Sequence, residues 1–141
     1  MKLTYIIDKL ATDLAGTENQ LIKMINGLSR MGFEISLVCF RDQPWLQSNA
    51  PSLACKTEII DINQFKKPYT YLNFMRLIWF LKSSKPDIVH TFFPTANILG
   101  VIAARLAGVD VILSSRRDYG EWMIGRYLRM TRFANRFATK I

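Results

Sequence analysis

The chain has 141 residues, half of them hydrophobic, which is enough for one ordinary domain with a buried core. Its formal net charge of +8 predicts a positive field that favours anionic partners: nucleic acid, phosphorylated small molecules or an acidic membrane surface. Arg76 interrupts the longest apolar run, which falls short of the ~20 residues that a spanning helix needs, so we expect no membrane-crossing segment.

The first part of the chain predicts two strands with a helix between them. Lys2 to Ile7 is a hydrophobic, partly β-branched run closed by Asp8, which is typical of a buried strand. After a loop to Gly16, the tetrapeptide 17–20 matches a capping box, with Thr17 as the cap of a helix. A second strand is expected over 34–40. The apolar stripe of the helix comprises Leu21, Met24, Ile25, Leu28 and Met31, followed by Gly32 as terminator.

The middle of the chain predicts a loop, a strand and a helix. Turn-forming residues over 41–57 indicate a loop with a short helical piece. Glu58 to Ile62 predicts an edge strand, and Tyr69 to Leu81 predicts a helix. The residues expected to face the core from this helix are Leu72, Met75, Trp79 and Phe80.

The chain's single histidine lies where an apolar strand meets a helix. Asp87 to Thr91 predicts the strand, with His90 at its carboxyl end. A helix over 94–106 with Gly108 as terminator, a fifth strand over 109–114 and a helical segment over 119–141 complete the pattern. The apolar residues at helical spacing in the helix after His90 are Ile98, Leu99, Ile102, Ala103 and Leu106.

Alternating strands and helices predict an α/β fold: a Rossmann-like, doubly wound parallel sheet of about five or more strands, forming a single domain over 1–141. In the strand order 3-2-1-4-5, the first strand and the His90 strand are neighbours. The switch point, where ligands bind in such sheets, then brings the Gly16 loop beside His90.

Two features of this edge suit an anion. Gly16 and Thr17 stand at a helix start, where free amides and the helix dipole attract phosphate, although Gly16 could simply permit the turn and Thr17 simply cap. Dinucleotide and P-loop fingerprints are absent from the sequence. Arg116 and Arg117 follow the fifth strand and suit phosphate or carboxylate, the alternative being a solvated turn in which Asp118 pairs one arginine.

Two interpretations of His90 are open at this point. A lone histidine is often a core side chain that bonds a backbone carbonyl, but at a strand end an imidazole can donate to a substrate hydroxyl or ease charge at a reacting centre. No second histidine or cysteine cluster supports a metal site. Cys39 and Cys55 have no disulfide-framework spacing, and the first residues are too brief for a signal peptide, so we expect a cytoplasmic protein.

The last predicted helix carries two adjacent stripes. One is apolar, and its neighbour is basic and aromatic, which suits a helix lying on anionic lipid at the inner face of a membrane. A core-packing helix with a solvated basic face is the equal alternative. The apolar stripe is Met123, Tyr127, Met130, Ala134, Phe137 and Ile141; the basic stripe is Trp122, Arg126, Arg129, Phe133, Arg136 and Lys140.

The segments IIDKLATDLAGTENQLIKMINGLSRMGFEISLVCF and PDIVHTFFPTANILGVIAARLAGVDVILSSRRD resemble the amino-terminal domain of family 4 glycosyltransferases. Ala15-Gly16-Thr17-Glu18 stands where that family more often has Gly-Gly-Ala-Glu. The resemblance implies one half of a GT-B enzyme that transfers a sugar from a nucleotide-sugar donor with retention and without an essential metal.

The resemblance also implies roles for these residues. Gly16 would approach the donor phosphates, His90 would lie against the donor sugar, and this half would chiefly hold the acceptor. Relatives with an arginine pair, here Arg116 and Arg117, often use lipid-linked or cell-envelope glycans as acceptors. The absence of a D-x-D motif agrees with a metal-independent site.

The family's carboxyl-terminal domain, which holds the nucleotide sugar, has no counterpart in these residues. With the chain expected to stop inside a helix, we interpret it as a separate or truncated domain that would not turn over alone. A receiver-like signalling domain with Asp8, Asp61 and Thr91 at strand ends is a weaker alternative, because Lys9 stands where a second carboxylate is needed. Nucleic-acid binding lacks a recognisable motif, so we expect no such partner.

Overall fold

Strands and helices alternate along the chain in the computed structural model, which describes residues 1–62, 67–116 and 124–141. The strands are β1 (Lys2–Lys9), β2 (Glu34–Arg41), β3 (Lys56–Ile59), β4 (Ile88–Phe92) and β5 (Val111–Ser115). The helices are α1 (Gly16–Arg30), α2 (Pro44–Asn49), α3 (Pro68–Ser84), α4 (Val101–Leu106) and α5 (Arg126–Asn135), with a 3-10 turn at Ala50–Ser52 and a π-helical segment at Ala96–Gly100 leading into α4.

The described strands form one parallel sheet in the order β3-β2-β1-β4-β5, which confirms the predicted topology and fold class. Tyr5 of β1 lies opposite His90 of β4, and His90 lies opposite Leu113 of β5. β3 is an edge strand, as predicted, but it spans Lys56–Ile59 rather than 58–62. The short helical piece expected after β2 is present as α2.

Two apolar clusters cover the two faces of the sheet. On one face, Leu21 and Ile25 of α1 pack against Tyr5 and Ile7 of β1. On the other face, the helices α3, α4 and α5 pack on side chains that include Ile6 of β1. Because successive strand residues point to opposite faces, adjacent β1 residues serve both cores.

The start of α1 differs from the capping-box prediction. The N-cap residue is Ala15, with extended backbone and no side-chain cap bond, so Thr17 lies inside the first turn. The N-terminal loop is instead held by Glu18, a buried side chain whose Oε1 accepts a 3.0 Å hydrogen bond from the amide of Ala11. Gly32 terminates the helix with φ of +91° as predicted, but Met31 is exposed rather than inward.

The predicted core face of α3 is wrong. Leu72, Met75 and Trp79 are exposed, whereas Leu77 and Leu81 are buried against the sheet. Helix α3 carries apolar residues around most of its circumference, so their spacing alone could not decide which side packs. Phe80 is half-buried beside the core, in agreement with the prediction.

The last helix is shorter than predicted. It ends at Asn135, and the residues after it run alongside β5. The Thr139 amide donates to the Ile112 carbonyl at 2.7 Å and the Ser114 amide donates to the Lys140 carbonyl at 3.0 Å, so a parallel bridge extends the sheet there. The residues after Asn135 therefore pair with the edge of β5 instead of continuing the helix. Within the described ranges, no helix has the length and apolarity needed to cross a membrane.

Candidate functional site

The candidate site lies at the carboxyl ends of β1 and β4, where the segments that follow these two strands run to opposite faces of the sheet. α1 follows β1 on one face, and the π-helical segment and α4 follow β4 on the other. The two strands are adjacent, so their carboxyl ends open a crevice between the diverging connections. This geometry brings the Gly16 loop and the β4 turn to one edge of the molecule.

The amino end of α1 presents free backbone at this edge. The Asn19 amide donates to the Ala15 carbonyl at 2.8 Å, which leaves the amides of Gly16, Thr17 and Glu18 ahead of the helical hydrogen-bond ladder. Gly16 is exposed, and an added Cβ would meet no atom within 4 Å. The site can therefore admit a group close to the backbone, in the place where the helix dipole favours an anion.

Asp8 joins the ends of β1 and β4. Its Oδ1 accepts a 2.6 Å hydrogen bond from the Ala96 amide, and its Oδ2 accepts a 3.1 Å bond from the Thr95 amide. Burial raises the pKa of this carboxyl above its ordinary value, while the hydrogen bonds from Ala96 and Thr95 act in the opposite direction. Asp8 thereby caps the helical segment after β4.

A buried amide links β4 to β5. The Thr91 hydroxyl donates to Asn97 Oδ1 at 2.8 Å, and Asn97 Nδ2 donates to the Ser115 carbonyl at 2.9 Å. Asn97 lies in the π-helical segment, a helix form that is frequent at functional sites. Phe93, which directly follows β4, adopts a left-handed backbone conformation with φ of +71°. Thr91 is fully buried, so it is no surface group of a receiver-like site.

His90 is the central residue of β4, two positions before the strand ends, rather than at its carboxyl end as predicted. The strand continues to Phe92 because Phe92 pairs with Ile7 and Ser115 on its two sides. The half-buried imidazole packs against Phe92 and Tyr5, with ring centroids 4.4 Å and 5.6 Å away. Its Nε2 shares a 2.6 Å hydrogen bond with Ser115 Oγ.

A pocket of about 190 Å³ opens beside this histidine, lined in part by His90, Ser115 and Lys140. The imidazole, the hydroxyl and the ammonium of these residues give the pocket groups that can bond sugar hydroxyls or an anion. The contacts with two aromatic rings restrict the His90 side chain before a ligand binds. Ligand binding therefore costs little further side-chain entropy at this residue.

The predicted basic features fall only partly within the described residues. Arg116 directly follows β5 and is exposed at the same edge, whereas Arg117, Asp118, Trp122 and Met123 lie outside the described residues. On α5, Arg126, Arg129 and Phe133 are exposed. Arg136 follows the helix and is exposed, and Lys140 lies on the strand-like tail instead of the helix.

The two stripes of α5 divide between core and solvent. The predicted apolar stripe packs toward the sheet through Tyr127, Met130, Ala134 and Phe137, while Ile141 is exposed. Within the described residues, no group of three or more His, Cys, Asp or Glu side chains is placed to hold a metal ion. Both cysteines are free thiols.

Sequence reasoning did not assign Asp8, Glu18, Asn97 and Ser115 to the site. The sequence places Asp8 at the end of a strand, and as a carboxylate of the receiver-like alternative, but not as a residue that positions this site. A polar residue directly after a buried strand, at the switch point of a parallel sheet, is the signal that could have singled it out. Asn97 gave no such signal, because its partners, the Thr91 hydroxyl and the Ser115 carbonyl, are brought near by the fold. Glu18 belongs to the segment that resembles the family's Gly-Gly-Ala-Glu, but its hydrogen bond with the Ala11 amide could not be predicted from that segment.

A parallel sheet in the order β3-β2-β1-β4-β5 with helices on both faces is a Rossmann-like α/β fold. The family model for the glycosyl transferase 4-like domain matches residues 15–141. That match covers most of the chain, so this chain belongs to the glycosyl transferase 4-like domain family.

One curated relative is an Escherichia coli enzyme, UDP-Gal:alpha-D-GlcNAc-diphosphoundecaprenol alpha-1,3-galactosyltransferase. It is 31% identical over 108 residues, which cover 67% of this chain and 27% of the relative. The chain thus spans about a quarter of that enzyme's length.

Two solved structures share the fold. Anabaena Alr3699/HepE in complex with UDP-glucose superposes with a TM-score of 0.74 at 18% identity, covering 99% of this chain and 36% of that one. Acinetobacter baumannii MurG superposes with a TM-score of 0.66 at 14% identity, covering 98% of this chain and 39% of that one. The described residues therefore have the Rossmann-like architecture of GT-B glycosyltransferases.

Proposed function

We propose that this chain is the amino-terminal, acceptor-side domain of a GT-B glycosyltransferase that transfers a sugar from a nucleotide-sugar donor to a glycan or lipid-linked acceptor. The observation that carries the proposal is the family match over residues 15–141. The donor-binding carboxyl-terminal domain would be supplied by sequence outside residues 1–141, and this domain alone is expected to be inactive. The Escherichia coli relative, named for a UDP-galactose donor and a diphosphoundecaprenol acceptor, suggests a UDP-sugar and a role in cell-envelope glycan synthesis.

In this proposal the sheet edge forms one wall of the reaction cleft. The free amides at Gly16 and Thr17 stabilise donor phosphate charge, and His90 contacts the donor sugar from beside Ser115. Arg116 and Arg117 bind an anionic group of donor or acceptor, and Asp118 completes this proposed substrate-binding segment. We propose that the transfer proceeds with retention and without an essential metal or other cofactor, as the resemblance to family 4 glycosyltransferases implies.

The acceptor would reach this cleft at the inner face of a membrane. The exposed Arg126, Arg129 and Phe133 of α5, with Arg136 beyond it, supply cations and an aromatic ring suited to anionic head groups. Trp122 and Lys140 are the remaining residues of the predicted basic stripe, and Lys140 lies on the tail beside β5, where it lines the pocket at His90. The protein is then cytoplasmic and peripheral, and nucleic acid is not a partner.

The test is sugar transfer by the full gene product, with a panel of UDP-sugars and a diphosphate-linked polyprenyl sugar as acceptor. We expect transfer from one donor, insensitivity to EDTA, an α-linked product from an α-linked donor, and loss of activity in His90→Ala. No transfer or donor hydrolysis with any nucleotide sugar would contradict the proposed reaction, and transfer by residues 1–141 alone would contradict the division into two domains.

A further inference from the structure

The exposed side of α3 carries a row of large apolar side chains. Leu72, Met75 and Trp79 follow one another at helical spacing and are 73%, 61% and 70% exposed, and the neighbouring Tyr71 is 66% exposed. Contiguous exposed apolar patches mark interaction sites in folded domains. This apolar row faces away from the sheet, because the opposite side of α3 is the one that packs.

The helices on this face of the sheet carry cations without carboxylates. Neither Asp nor Glu occurs in α3, the π-helical segment, α4 or α5. Lys82 is exposed one turn after Trp79, and Arg132 adds a further exposed cation on α5. Arg76 beside the apolar row donates to Glu58 of β3 at 2.7 Å, so that acid is already engaged. The face is therefore complementary to an anionic partner.

An apolar groove joins the two helices. It has a volume of about 380 Å³ and is lined by Tyr71 and Phe74 of α3, Leu99 of the π-helical segment and Met130 of α5. The groove thus brings Tyr71, which neighbours the apolar row, together with Met130 of α5. Helix α5 also carries the exposed cations Arg126 and Arg129.

We propose that the apolar row of α3 inserts into the interface of an anionic lipid bilayer, with α5 supplying the cations that bind the head groups. The inference rests on the proposed peripheral role and extends its contact surface from α5 to α3. Trp and Tyr side chains favour the membrane–water interface, and cations beside them bind anionic lipid. A second copy of the chain fits less well, because two copies of these helical segments, which carry cations and neither Asp nor Glu, would bring like charges together.

The test follows Trp79 in the full gene product after Trp45→Phe and Trp122→Phe and any further tryptophan replacements needed to leave it as the sole tryptophan. With vesicles of phosphatidylglycerol and phosphatidylcholine carrying brominated acyl chains, Trp79 emission should shift to shorter wavelength and be quenched. In the wild-type background, Met75→Gln with Trp79→Ser should lower vesicle partitioning roughly tenfold or more. Met31→Gln, at the exposed methionine that directly follows α1, is the matched control for Met75 and should leave partitioning unchanged.

Several outcomes would overturn the inference. If the protein binds vesicles but Trp79 is not quenched, and if Met75→Gln with Trp79→Ser does not weaken binding, then α5 contacts the membrane and α3 does not. If Trp79 emission is already shifted to shorter wavelength in the absence of lipid, and a soluble quencher does not reach it, another part of the protein covers the apolar row of α3. Self-association abolished by the double substitution would identify a second copy as the occupant. Lipid quenching of Trp79 in a protein that transfers no sugar would instead support the surface while contradicting the proposed reaction.

Discussion

Asp8 and Ala96 are 88 positions apart in sequence and are joined by a hydrogen bond of 2.6 Å, from the Ala96 amide to the Asp8 carboxylate. The carboxylate also accepts from Thr95, so it holds the start of the helical segment after β4 against the end of β1. Both strands border the proposed reaction cleft. The geometry of the site therefore depends on a side chain that need not touch any ligand.

Asp8→Ala should lower the free energy of unfolding by about 2 kcal/mol, because two partly buried backbone amides lose their acceptor. Burial raises the folded-state pKa of Asp8, so the folded protein binds this proton more readily than the unfolded chain. The contribution of Asp8 to stability consequently falls as pH rises through the window between its ordinary value and the raised folded-state pKa. Above that window it is constant.

The measurement is urea unfolding of wild type and Asp8→Ala at neutral and weakly acidic pH. The destabilisation caused by the substitution should be larger at the acidic pH. Asp13→Ala, which removes an exposed carboxylate from the neighbouring loop, is the control and should change stability by less than about 0.5 kcal/mol. If Asp8→Ala lowers the free energy of unfolding at acidic pH by no more than it does at neutral pH, the pKa of Asp8 is not raised in the folded protein.

Much of the fold was predictable because strand and helix periods and turn residues recur along the whole chain. The alternation of elements predicts a parallel sheet, and the strand order agrees with the doubly wound order 3-2-1-4-5. Gly32 and Gly108 end helices with positive φ, as their positions indicated. The packed side of α3 was not predictable, because apolar residues occupy nearly its whole circumference. The choice depends on which side fits the sheet, and local sequence does not contain that information.

The candidate site was predictable only in outline. The switch point and the position of Gly16 followed from topology, whereas the exact placement of His90 depended on where β4 ends. The polar contacts of Asp8 and Asn97 join residues distant in sequence through backbone groups. Backbone donors and acceptors are present at every position, so sequence patterns cannot identify these partners.

His90→Ala should lower kcat/KM for sugar transfer by the full gene product by about 100-fold, the lower end of the range for a group that acts on a reacting centre. Ser115→Ala removes the hydroxyl at 2.6 Å from Nε2 but leaves the ring packed against Phe92, so it should cost less. Steady-state kinetics and thermal melting of both variants provide the measurement. If Ser115→Ala and His90→Ala lose the same activity, the histidine acts only through its hydrogen bond.

Gly16→Ala should weaken binding of UDP by roughly tenfold without destabilising the fold, because the added methyl group occupies the space through which a phosphate approaches the backbone. No protein atom lies within 4 Å of that Cβ position, so folding itself does not oppose the substitution. Gly27→Ala is a matched control in the same helix, where the Cβ is equally unobstructed. Calorimetric titration of the full gene product with UDP measures both; unchanged affinity in Gly16→Ala would contradict the phosphate site.

Gly100→Ala should destabilise the protein by about 1 to 3 kcal/mol through overpacking. The new Cβ would lie 3.0 Å from Thr91 Cγ2 and 3.3 Å from Ile6 Cδ1 and Cγ2, all inside the core between the π-helical segment and the sheet. Thr91→Ser removes the nearest methyl group while keeping the hydroxyl that donates to Asn97. Combining the two substitutions should therefore cost less than the sum of their separate losses. Urea unfolding of the three variants measures the coupling, and strictly additive losses would mean that the strain is relieved elsewhere than at Thr91.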